Sequence, residues 1–272
     1  MERAVGTPGG RKRTPHRVSC SVLCGLLLVM AATASFSAQD KGSPPPSFIS
    51  PAAKQKLERS IQALGGSAFL GWKSLRTTGQ VFLIQDHSTA GFAPYKNIEV
   101  PPDKRRFTYG SDAPVTRINN GKRGWEIDHY GIIQQTPEQI RAWKVGNRYS
   151  LENVLRVLIH EPGIFIEDKG LALKDNQPLE EVEMIDARHV HVKIYLDQDN
   201  FLPREITYRV RDPRTHQWQE YSDVYSNYQT FQGIETPMHI TRYLNGERIS
   251  ELFRNKVRYN VAVPPTSFQA PQ

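Results

Sequence analysis

Apolar side chains along this 272-residue chain keep two different periods. Between residues 53 and 64, Ala53, Leu57, Ile61 and Leu64 recur at helical spacing. Ser50 suits the cap of that helix, Pro51 its first position, and Gly65-Gly66 its stop. From about Leu75 the period falls to two. Gly79 to Gln85 reads as a strand rich in Val, Phe and Ile, and Lys104 to Tyr109 as a short one with Phe107 and Tyr109 on one side. Trp125, Ile127 and His129 alternate with Glu126, Asp128 and Tyr130, after an Asn119-Asn120-Gly121-Lys122 hairpin turn.

The middle of the chain turns helical again. Thr136-Pro137 opens a short helix reaching Trp143, and Ser150 caps a second that carries Leu151, Val154, Leu155 and Leu158. Glu161-Pro162-Gly163 ends it, and residues 164–177 read as loop with short strands. A meander follows. Val190, Val192, Ile194 and Leu196 share one strand face, with His189, His191, Lys193 and Tyr195 on the other. Ile206, Tyr208 and Val210 repeat the pattern, and Tyr221, Asp223 and Tyr225 do so more weakly. Met238 and Ile240 lead to an Asn245-Gly246 turn, and residues 249–259 form a long final strand. Clean alternation means one buried and one wet face, as in antiparallel sheets. The expected class is α+β: about nine to eleven strands in a curved antiparallel sheet with roughly three helices on its concave face, or an incomplete barrel.

The first 38 residues change the picture of where the chain works. Arg3, Arg11, Lys12, Arg13 and Arg17 precede an apolar run densest from Val22 to Ala32, and Ser35 and Ser37 fit the −3 and −1 positions of a cleavage site near Ser37/Ala38. A retained anchor is the alternative, but the run is diluted by Ser19, Ser21, Gly25 and Thr33, and a span needs roughly 20 apolar residues. The expected localisation is therefore periplasmic or secreted. Both cysteines, Cys20 and Cys24, fall inside this segment behind Arg17 and Ser21, which do not make a lipidation box. Residues 39–50 read as a Pro/Ser-rich linker and 51–272 as a single domain.

Charge then loses most of its weight. The whole chain carries +7, but residues 1–38 hold five of its 35 bases and one of its 28 acids, so 30 against 27 remain, or +3. That gives no reason to expect nucleic acid.

The order of these features resembles the LolA-like superfamily of periplasmic lipoprotein carriers. The residues that carry the resemblance are Ala63-Leu64-Gly65-Gly66, the 75–79 lead into a long strand, Gly121 to Trp125 (GKRGW) and Tyr195 to Pro203 (YLDQDNFLP). Asp223 to Tyr228, Gly233 to Ile240 (GIETPMHI), Asn245-Gly246 and the tail with Phe268 and Pro271 complete it, so that it covers nearly all of residues 51–271. The resemblance implies a half-barrel whose helices sit in its hollow, and an apolar cavity that binds acyl chains of lipids or lipoproteins without catalysis. It implies an inner- or outer-membrane protein as a delivery partner. The same fold also serves envelope sensors and interaction modules, and an unrecognised hydrolase is a more distant alternative. No carrier residue of the family maps onto a residue of this chain.

On that reading the cavity is expected from Phe82, Ile84, Phe107, Trp125, Ile127, Val192, Ile194, Leu196, Ile206, Tyr208, Met238 and Ile240. Any one of them is equally at home in an ordinary core. No cofactor, metal or catalytic residue is expected. His189 and His191 lack a third local ligand, and His160-Glu161-Pro162-Gly163 cannot form the helical His-Glu-x-x-His of zinc peptidases. No Gly-x-Ser-x-Gly elbow is present. Glu180, Glu181 and Glu183 read as exposed carboxylates at a strand start. Lys104-Arg105-Arg106 reads either as a contact for an anionic head group or acidic partner, or as the charged guard of an edge strand.

Overall fold

The structure, a computed structural model, describes residues 46–270. The expected signal segment, with Cys20, Cys24, Ser35 and Ser37, lies outside the described residues, as does most of the linker. A short strand β1 (Phe48–Ile49) leads into α1 (Pro51–Ala63), where the Ser50 hydroxyl accepts a hydrogen bond from Ala53 N, and then into α2 (Ser67–Gly71). Six strands follow: β2 (Leu75–Gln85), β3 (Ser88–Val100), β4 (Lys104–Tyr109), β5 (Val115–Asn120), β6 (Arg123–Asp128) and β7 (Gly131–Gln134). Next come α3 (Pro137–Arg148) and α4 (Leu151–Arg156). The chain then meanders through β8 (Phe165–Lys174), β9 (Gln177–Ile185), β10 (His191–Asp197), β11 (Pro203–Arg211), β12 (Trp218–Phe231), β13 (Ile234–Leu244) and β14 (Glu247–Tyr259).

All fourteen strands join one sheet in the order β1-β8-β9-β10-β11-β12-β13-β14-β2-β3-β4-β5-β6-β7. The sheet is unclosed, and every pairing is antiparallel except β1 with β8. Two meanders are thus joined where β14 pairs with β2. The α+β class stands, with more elements than expected: fourteen strands, and four α-helices among the described residues. The additional helix is the single turn of α2, and α3 continues past Trp143 to Arg148.

Register defines the two faces. Val192 faces Tyr208 and Ile194 faces Ile206 on neighbouring strands, and these residues, with Leu196, are buried against α1 and α4. Leu57 and Ile61 of α1 and Leu151, Val154 and Leu155 of α4 supply the other half of this core. Each such side chain removed from water contributes about 1.5–3 kcal/mol, so this half of the sheet is the anchor of the fold. Gly65 lets α1 turn onto β13. Its φ is +118°, a Cβ there would stand 2.2 Å from the Gly233 carbonyl oxygen, and Glu235 N donates to Leu64 O at 3.0 Å.

The turn between α3 and α4 is tied down on two sides. Asn147 and Asn153 donate side-chain hydrogen bonds to Pro102 O at 2.7 and 3.1 Å, fixing it to the β3–β4 turn. On the other side Arg148 contacts Asp186, just beyond β9, at 3.0–3.1 Å. The junction therefore bridges two turns from opposite halves of the sheet order.

Candidate functional site

Following the register from the packed half into the rest of the sheet shows where the helices stop filling space. Tyr225, Ile240, Leu252, Val81 and Ala93 lie in one row across β12, β13, β14, β2 and β3, and Arg254, Gly79, Tyr95, Tyr109 and Val115 in the next. All of these positions share the helix face. Along the β14–β2 seam burial falls steadily. Leu75, Val257 and Tyr259 are buried beside Trp72, Arg254, Val81 and Leu252 are half-buried, and Leu83 is 55% exposed. Side-chain cover on this face is thus complete near Trp72 and thins toward the β2–β3 turn, leaving a hollow in the cover there.

One wall is aromatic. Tyr95 stacks on Phe107 with ring centroids 5.2 Å apart, and Phe107 approaches Tyr109 at 5.9 Å. Arg105 lies over the Phe107 ring at 4.7 Å and Arg117 over Tyr109 at 5.5 Å. Gly79 makes room for this wall, since a Cβ there would meet a Tyr95 ring carbon at 2.9 Å. The other wall is polar. Asp223 and Arg242 form a bidentate pair, both contacts 2.7 Å, and the carboxylate holds the guanidinium firmly in its charged form. Above them α3 comes close, with the position of a Gly146 Cβ 3.8 Å from Arg242 Nη1.

Arg105, Arg242 and Arg254 are surrounded by protein yet remain solvent-accessible, with 34% of the Arg105 side chain and 39% of the Arg242 side chain exposed. Burial lowers the Arg105 pKa, Glu99 opposes that, and the positive charges of Arg242 and Arg254 add to it. Three strands separate Arg105 on β4 from Arg242 on β13. In a flat sheet four strand spacings of ~4.8 Å would hold them roughly 19 Å apart, beyond a Debye length. Curvature brings their side chains into one space. Glu152, from the first turn of α4, joins them: burial pushes its pKa upward, Arg254 opposes the shift and Glu99 reinforces it.

The expected cavity residues divide into four groups. Val192, Ile194, Leu196, Ile206 and Tyr208 belong to the packed core, each at most 2% exposed, and Met238 and Ile240 lie at its margin. Phe107 alone stands in the aromatic wall of the hollow. Phe82, Trp125 and Ile127 face the other way: Trp125 pairs with Ile118 and Ile127 with Thr116, while Phe82 packs with Phe92 and Phe253 on the outer face. Ile84 is buried beyond a bulge at Leu83/Ile84. Alternation fixed which residues travel together on each strand, and only the cross-strand register shows which set faces the helices. Val81, Leu83, Tyr95, Leu252, Arg254 and Glu152 were not singled out by sequence. The shared parity of Leu252 and Arg254 on the last strand was the one readable trace.

Other candidates change meaning. Lys104-Arg105-Arg106 is not an edge: β4 is paired on both sides, Arg105 enters the hollow, and Arg106 donates to Ser267 O across the outer face at 3.3 Å. Glu180, Glu181 and Glu183 lie within β9, paired with Lys56, Lys193 and His191 at 2.6, 2.8 and 2.9 Å, and their side chains are only 13–17% exposed. His189 sits in the preceding turn at φ +58°, off the strand that carries His191. Two open clefts lie elsewhere. One of about 770 Å³ is lined by Lys122, Gln134, Gln135, Pro137, Ile140, Arg141 and Lys144, and one of about 380 Å³ lies between α1 and the Asp199–Phe201 turn.

This architecture, an open curved sheet with helices over part of one face, is similar in fold to solved LolA-superfamily structures. A domain from Vibrio parahaemolyticus described as an outer membrane lipoprotein-sorting protein matches at 12% identity and TM-score 0.53. A DUF1329 family protein from Desulfovibrio piger matches at 10% and 0.55, and a LolA superfamily protein from Nitrosomonas europaea at 13% and 0.52. Each alignment covers 80% of this chain and 97% of the other. Neither protein-family profiles nor curated sequences match the chain.

Proposed function

We propose that the protein is a non-enzymatic binder or carrier of lipid or acylated lipoprotein, working in the periplasm or outside the cell. The observation that carries this reading is the half-covered helix face. Val81, Leu83, Leu252 and Phe107 remain partly exposed on this face, although Val192, Ile194, Leu196, Ile206 and Tyr208 of the same sheet are each at most 2% exposed. Sustained exposure of apolar surface inside a fold is a binding feature more often than an accident. Each methylene buried there contributes about 0.8 kcal/mol, so one acyl chain brings ample affinity. The fold supports the same reading through the lipoprotein-sorting domain it matches. No described helix is long and apolar enough to cross a membrane.

Native mass spectrometry of protein purified from its membrane-containing lysate is expected to show co-purifying acyl species, and the delipidated protein to take up a fluorescent fatty acid. A clean apo mass combined with no uptake would end the carrier reading.

A further inference from the structure

The base of the hollow is charged, which an acyl chain does not explain. Arg254 lies on the β14–β2 seam opposite Gly79, which has no side chain of its own to fill the space beside it. Its Nη1 donates to Pro237 O at 3.0 Å, but its Nε is buried with no hydrogen-bond partner among the described residues. The neighbouring carboxylates are largely committed. Asp223 is held bidentate by Arg242, and Glu99 accepts from Asn97 at 2.7 Å and lies 3.5 Å from Arg105. Glu152 acts on Arg254 through space without a direct hydrogen bond. Glu152 and Glu99 favour the Arg254 charge against its burial, but neither supplies the direct acceptor that its Nε lacks. Just beyond Arg254 the seam becomes apolar, through Val81 and Leu252 to the exposed Leu83 at the mouth.

We propose that Arg254, flanked by Arg105, is a head-group subsite. It takes the oxyanion, carboxylate or phosphate, of a single-chain amphiphile that enters head first, with its acyl chain running out along Val81, Leu252 and Leu83. The inference rests on the carrier reading and specifies its ligand class. A planar guanidinium suits both oxyanions, and a chain lying toward the mouth tolerates variation in length because its end reaches solvent.

The test compares oleate, 1-oleoyl-lysophosphatidate and the uncharged monooleoylglycerol on the full chain, with inorganic phosphate alone as a further arm. Both anionic amphiphiles are expected to bind roughly ten- to a hundredfold more tightly than monooleoylglycerol, the range of a charge-assisted hydrogen bond. Arg254→Gln should erase that preference without weakening monooleoylglycerol, and Arg254→Lys should keep part of it. Equal binding of all three amphiphiles by the wild type overturns the subsite and leaves the carrier reading standing. A uniform loss in a folded Arg254→Gln protein also overturns it, showing a structural arginine. Phosphate binding as tight as lysophosphatidate removes the acyl part of the proposal, and no binding of any amphiphile sinks the carrier reading and the subsite together. If Arg254→Gln does not fold, Arg105→Gln makes the same comparison: a reduced preference supports the subsite and an unchanged one overturns it.

Discussion

Asp186 carries more of the fold than any other single carboxylate. Its side chain is fully buried and accepts from the Arg148 guanidinium, the Tyr149 hydroxyl at 2.9 Å, and the backbone N–H groups of Arg188 and Val190 at 2.9 and 3.0 Å. Burial alone would raise its pKa, but these donors outweigh burial and hold it below the ordinary aspartate value. A carboxyl depressed in the folded state contributes stability above its unfolded pKa and loses it as pH falls through the folded one. The loss is therefore expected below about pH 4. Asp186→Asn should cost about 3–5 kcal/mol in chemical denaturation, since it strands part of the Arg148 charge, and should flatten the acid limb of the stability profile. An unchanged acid limb would show that other carboxylates govern it.

Among the elements, the strands of the hollow give the sharpest discrimination between faces. Val81→Glu places a carboxylate on the apolar floor and should abolish fatty-acid uptake in a folded protein. Ile127→Glu lies on the outer face and should leave uptake at the wild-type level, measured by the same fluorescence titration. Ile194→Glu belongs to the packed core, 0% exposed, and should fail to fold rather than fail to bind. These three outcomes also mark how far the sequence reaches. The α1 cap, the Thr136-Pro137 opening of α3, the Asn-Gly turn at Asn245-Gly246 and the alternation of β10 and β11 are local signals, and the structure keeps them. The strand β3 was not legible because Gly91 and Pro94 interrupt it. Pro94 is tolerated because its carbonyl side, which accepts from Gly110 N, lies just past the last β4 pairing at Tyr95–Tyr109, so no ladder donor is missed. The central position of β4 was invisible for a different reason: strand neighbours are a long-range property that no window of residues contains.

For the whole molecule, the decisive fact is unequal filling of one sheet. Helices α1 and α4 pack the β8–β13 half densely, while the β14–β5 half is touched by the α3–α4 junction, which ties Pro102 of that half to Asp186 of the other. The cavity expected from the sequence was drawn toward the core-forming strands, because they carry the stronger apolar pattern. A ligand that occupies the hollow adds contacts the empty protein lacks. At a hundred times its Kd such a ligand should stabilise the fold by about 2.7 kcal/mol. Thermal unfolding with saturating oleate is expected to show an upward shift in midpoint that Val81→Glu does not show.

The seam between β14 and β2 has a consequence for how the molecule is made. Its partners, such as Leu252 with Val81 and Arg254 with Gly79, are separated by about three quarters of the described chain. Contacts of such sequence distance form slowly and only when the last strand is present. A polypeptide still emerging from the ribosome, or clipped anywhere before Glu247, can assemble its helices and much of its meander but has no β14 to lay beside β2. The β14–β2 seam, on which the proposed binding site rests, is thereby completed only once the last strand has been made.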